Sequence, residues 1–195
     1  MTYDEFAAEL EAAWIKAGLH EHLVVESIVP DVFERVYRAE LFPDHPESFT
    51  AETTPPWVEV SFHWTVKHQV HLEESERESV PLALAWTYTA DVRSALDKSD
   101  SELIRLFRDA VNSALQGRLD AVSQEAEYIA VEVRRGYRSV HTQPALAYVQ
   151  LVGTNVTDIG PFWSAGAVKD IRRVFQSECI LVAAILQSLK EVFAK

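Results

Sequence analysis

Few residues in this 195-residue chain have the types and spacing that chemistry needs. His68 is the first of them. It lies in VEVSFHWTVKHQVHL, residues 58–72, where every second side chain is otherwise apolar: Val58, Val60, Phe62, Trp64, Val66, then Val70 and Leu72. Two roles fit an imidazole on such a face. One is a packed histidine whose ring nitrogens find partners in the sheet. The other is the convergent polar group of a small-ligand pocket walled by aromatic rings. The walls would be Trp64, four residues away on the same face, with Trp86 and Tyr88 on the returning strand. A bulge near Lys67 would instead turn His68 outward.

The remaining candidates are weaker. His63 and His71 share a strand face but stand roughly 26 Å apart if extended, too far to hold one ion. His20 and His22 form an H-x-H pair that lacks a third ligand. Glu73, Glu74, Glu76 and Glu78 read as a solvated hairpin turn. The single cysteine, Cys179, allows no intramolecular disulfide and lies in an apolar stretch, where a buried side chain is the ordinary state. No metal and no cofactor are expected. In RRGYRSVH, residues 134–141, Arg134, Arg135, Arg138 and His141 bracket a Gly-Tyr turn. This is either a charged hairpin loop or a contact for an anion or an acidic partner, since arginine offers forked donors to carboxylate and phosphate.

Standard catalytic signatures are missing. The six glycines never fall as G-x-G, and there is neither a P-loop nor a G-x-S-x-G elbow. Formal net charge is −12, and it is uneven: residues 1–97 hold 19 acidic and 6 basic residues, residues 98–195 hold 11 and 12. An acidic first half repels phosphate backbones, so nucleic-acid binding is not expected beyond a local patch. The N-terminus has no signal-peptide pattern, and the apolar run CILVAAIL is far short of the ~20 residues that span a bilayer. A cytoplasmic protein without a membrane partner is the expectation.

The elements that must position these residues follow from periodicity. Thr2 and Glu5 have capping-box spacing, and Phe6, Leu10, Ala13, Trp14 and Ala17 form a helical stripe closed by Gly18. HLVVESIV reads as a short strand or extended piece. DVFERVYRAELF carries Phe33, Val36, Tyr37 and Leu41 at helical spacing. Residues 43–56 hold four of the eight prolines and read as a loop. Residues 57–72 alternate as a strand, and PLALAWTYTA returns with Leu82, Leu84, Trp86 and Tyr88 on one face. Fully extended, 57–72 would reach roughly 50 Å, against a domain diameter of about 40 Å, so the strand must bend, bulge or project. Ser99 and Glu102 cap a further helix, with Gly117 as its stop. Residues 126–135 fit both periods; their β-branched side chains favour a strand, with ALAYVQLVGT as its partner. A long helix over about 165–194 ends the chain.

These elements predict one α+β domain over residues 1–195, with an antiparallel sheet of about four strands covered by helices. The functional expectation is a non-enzymatic protein-binding or adaptor protein whose partner the sequence does not identify. The alternatives are a small-molecule-binding protein or enzyme using the pocket of Trp64, His68, Trp86 and Tyr88, and a nucleic-acid-associated accessory protein using the arginine loop. The last helix predicts a homodimer contact through Ile180, Ala183 and Ala184, which interrupt its polar side and leave its middle apolar nearly all round.

Overall fold

Thr2 opens the first helix as its spacing with Glu5 predicts. Its hydroxyl accepts from the Glu5 backbone N–H at 3.2 Å, and the Glu5 carboxylate accepts from the Thr2 N–H at 2.7 Å. Such a cap is worth about 1 kcal/mol, because it satisfies helix-end donors that otherwise have no partner. Helix α1 runs Tyr3–Lys16 and buries Phe6, Leu10, Ala13 and Trp14. Gly18 follows with φ +78°, the left-handed position that a Cβ disfavours.

The computed structural model describes residues 1–30, 34–49, 54–69, 80–92, 97–115, 129–140 and 143–193. After α1 come strands β1 (His20–Val29), β2 (Glu34–Phe42), β3 (Trp57–Trp64) and β4 (Ala83–Asp91), helix α2 (Asp100–Leu115), strands β5 (Ala130–Val140) and β6 (Gln143–Asp158), and helix α3 (Val168–Phe193). The described strands form one antiparallel sheet of six in the order β1-β2-β3-β4-β6-β5. Val60 lies opposite Trp86 and Val58 opposite Tyr88, so the β3–β4 pairing and its shared apolar face are as predicted. The acidic turn proposed between them lies outside the described residues, as does Gly117.

The three helices cover one face of the sheet. Phe6 of α1 meets Phe62 of β3 and Phe175 of α3, each with ring centroids 4.9 Å apart. Tyr37 of β2 stacks on Phe62, also at 4.9 Å, and its hydroxyl donates to Glu11 of α1 at 3.1 Å. Helix α3 lies between α1 and α2. At Gly153 of β6 the approach is closer still: a Cβ there would stand 2.7 Å from Ile129 and 2.8 Å from the Phe107 ring of α2.

Three expectations need correction. The part of DVFERVYRAELF that the structure describes, residues 34–42, is strand β2, not a helix. Its helical spacing is real, but Tyr37, Ala39 and Leu41 also alternate and are all buried. A nine-residue segment bearing both periods takes the one its neighbours can pair, and β2 has a strand on each side. The sheet therefore has six strands rather than about four, because β1 and β2 both join it. Finally, β3 ends at Trp64 rather than near Leu72. The chain bends there into a helical turn, Val66–Gln69, which leaves Val66 half exposed and resolves the excess length.

Candidate functional site

His68 is 5% exposed, but the helical turn buries it, not strand alternation. Its Nδ1 lies 2.9 Å from the Thr65 backbone N–H, which can only donate, so Nδ1 is the bare nitrogen. The Thr65 hydroxyl lies 3.1 Å from the same atom. Nε2 then carries the proton and donates to the Pro81 carbonyl at 3.1 Å. Thus one neutral ring ties the end of β3 to the approach of β4. Burial lowers its pKa below the ordinary 6.5, against smaller opposing effects of its bonds to Pro81 and Thr65.

The aromatic neighbours differ from those the alternation predicts. His68 meets Trp64 at 5.1 Å and Trp163 at 6.1 Å, and those two indoles meet edge-on at 4.8 Å. Tyr3 and Phe6 pack on Trp64 from α1. Trp163 belongs to a short helical turn, Gly160–Ser164, which nothing in the strand pattern indicates. Trp86 and Tyr88 stand lower on the sheet, opposite Val60 and Val58. The Trp86 indole N–H donates to Thr157 at 3.0 Å, whose hydroxyl donates to Glu178 of α3 at 2.8 Å. Trp64 and His68 are therefore together, Trp86 and Tyr88 are apart from them, and both nitrogens of His68 are occupied within the chain.

Gly136 and Tyr137 lie within β5, paired with Tyr148 and Ala147, rather than at a turn, because the strand runs on to Val140. Arg134 and Arg135 are both engaged within the fold. Arg134 pairs with Glu132 on the same strand. Arg135 reaches α2, its Nε 2.8 Å from the Asp100 carboxylate and its guanidinium 2.6 Å from the Lys98 carbonyl. Arg138 lies on β5, but its side chain and the whole of His141 fall outside what the structure describes. Among the described residues no group of three or more His, Cys, Asp and Glu side chains could hold a metal ion.

The apolar girth of α3 has a structural use. Ile171, Phe175, Cys179, Val182, Ile185 and Leu189 are buried, and α1 and α2 flank the helix. Ala183 packs against the core and Ala184 is half buried, while Ile180 is 49% exposed. Burial and the adjacent Glu178 push the Cys179 thiol up to about 12, which leaves no thiolate at neutral pH. No described helix is long and apolar enough to cross a membrane.

Among the described residues, the largest group of exposed large apolar side chains lies elsewhere, on β1. Leu23, Val24, Val25, Ile28 and Val29 are each between 38% and 66% exposed. β1 is an edge strand, paired with β2 alone among the described strands. Its sequence, apolar on both faces, reads like a strand buried in a sheet interior. The extra residue at His22, where the register with β2 shifts, marks where the regular edge begins.

No family model, no curated protein and no solved structure matches this chain.

Proposed function

We propose that this is a non-enzymatic protein that works by binding another protein. The observation that carries the reading is β1: ten residues of edge strand with five large apolar side chains exposed. An unprotected apolar edge is a template for pairing with another chain, and proteins that do not use one usually block it with lysine, proline or a covering loop. The engagement of His68, Arg134 and Arg135 within the fold supports the same reading, because it removes groups that catalysis or anion binding would use. A homodimer through α3 is a narrower form of the proposal. It rests on Ile180, whose helix neighbours Gln176, Ser177 and Gln187 are polar or exposed.

The test is a selection of random twelve-residue peptides on the immobilised full chain, with the enriched peptides synthesised and titrated by calorimetry. The expected result is enriched peptides that bind with dissociation constants below about 100 μM, an affinity of roughly −5.5 kcal/mol. Enrichment no greater than on the bare support would overturn the reading.

A further inference from the structure

We infer that the edge of β1 takes an extended segment of another polypeptide as a seventh strand, and that this segment alternates apolar with basic side chains. The inference rests on the protein-binding reading and names its surface and the chemistry of its partner.

The backbone comes first. From Leu23 to Val29 the pairing with β2 is regular, Leu23 opposite Glu40 through Val29 opposite Glu34. Those seven residues span about 24 Å at ~3.4 Å each. The side of β1 away from β2 presents the alternate N–H and C=O groups to which an added strand bonds. The short 3-10 turn Pro46–Ser48 and the tilted His20–His45 ring contact, at 3.7 Å, lie at the other end of β1 and leave this stretch clear among the described residues.

The side chains then set the partner's chemistry. Register places Leu23, Val25 and Val29 on the uncovered face of the sheet, and Val24, Glu26 and Ile28 on the helix-bearing face opposite Ala39, Tyr37 and Arg35. Beside that second set runs a flank of α1. Asp4 pairs with Arg35 at 3.8 Å and Glu11 accepts from Tyr37, so the stripe Asp4, Ala8, Glu11 and Ile15 faces the β2 side. Ile15 is 68% exposed there. On this face the carboxylates of Asp4, Glu11 and Glu26 outnumber the Arg35 guanidinium, and β1 itself holds two glutamates and neither lysine nor arginine. A guest strand therefore meets apolar contacts on one face, and apolar contacts mixed with carboxylates on the other. Lysine or arginine opposite Glu26 gains both a cross-strand pair and the field of the carboxylates on α1.

A second copy of this chain fits less well. Residues 23–29 paired with themselves in antiparallel register match Leu23 with Val29 and Val24 with Ile28, but set Glu26 against Glu26. Like charges directly opposite are destabilising, and each copy carries a net charge of −12. A shift that separates the two glutamates shortens the regular pairing from seven residues to five and sets Glu26 against Val24 or Ile28.

The probe is a fluorescein-labelled nine-residue peptide of alternating lysine and valine, titrated by anisotropy against the full chain. Three further peptides accompany it: one with glutamate for lysine, one N-methylated at every valine amide, and one N-methylated at every lysine amide. The expected result is saturable binding, at least tenfold weaker for the glutamate peptide and for one N-methylated peptide, and retained by the other, since only alternate amides face β1. Val25→Lys should weaken binding at least tenfold, and Glu26→Lys should exchange the preference between lysine and glutamate peptides. Both positions are exposed, so circular dichroism should show the fold unchanged. Equal binding of both N-methylated peptides, or indifference to Glu26→Lys, would overturn the inference while leaving the protein-binding reading standing if selected peptides still bind. A wild-type dimer by light scattering that Val25→Lys converts to monomer would make the occupant a second copy and overturn it too.

Discussion

The sheet has two edges, and they are built on opposite principles. β5 carries Glu132, Arg134 and Arg135 along its length, with Arg134 paired to Glu132 and Arg135 held to the start of α2. A further strand arriving there meets charges that would have to be desolvated or displaced. β1 carries five exposed apolar residues and neither lysine nor arginine. An edge is guarded by side chains rather than by its position, so the same sheet can be closed to pairing on one side and open on the other. The contrast also separates two meanings of an apolar strand. On β3 the apolar side chains hold the molecule together, whereas on β1 they hold almost nothing within it.

That contrast can be broken most sharply by truncating one residue of each kind. Phe62 is buried under Tyr3, Phe6 and Tyr37; Phe62→Ala should cost about 3–5 kcal/mol in urea unfolding, through lost transfer energy and the cavity left behind. Ile28→Ser on β1 should move stability by less than about 0.5 kcal/mol. Comparable losses at the two positions would show that β1 is packed after all. At the guarded edge, Arg135→Ala should cost at most about 1 kcal/mol, because both partners are partly exposed and solvent weakens the pair. A double-mutant cycle with Asp100→Asn isolates the part carried by the Asp100 pair, apart from the bond to the Lys98 carbonyl. A further effect concerns the β3–β4 pair between the edges and depends on pH. The folded-state pKa of His68 lies below 6.5, so as pH falls the unfolded chain binds the proton first. The stabilisation is complete above about pH 6.5 and is lost as pH falls through the folded pKa. Wild type should therefore lose more stability between pH 7 and pH 5 than His68→Gln does, and equal slopes would rule out this linkage.

Much of this fold could be read from the residues alone. Helix α1 announces itself through a cap and a stripe that agree. β3 and β4 alternate with a single period, and α3 is long enough to be unambiguous. β2 could not be read in the same way, because its apolar residues satisfy two periods and its charged residues suit a helix; the pairing of β3 decides the matter. His68 shows a subtler limit. Its burial was legible, but the helical turn that buries it and Trp163, its second aromatic neighbour, come from segments without a strand pattern. The candidate site was the least legible part. Leu-Val-Val-Glu-Ser-Ile-Val has the composition of a strand covered on both faces, and whether such a strand lies at an edge is a property of topology that no local window contains.

Gly153 carries a consequence for how this protein can change over time. The hydrogen at that position is what lets β6 pass beneath Phe107 and Ile129. Any side chain needs room that Ile129 and the Phe107 ring already occupy, so a lone substitution there must displace both. The way out is a compensated one, with smaller residues at 107 and 129 arriving first and alanine at 153 tolerated only afterwards. Related sequences should record that order of events: wherever position 153 is not glycine, positions 107 and 129 should no longer be phenylalanine and isoleucine.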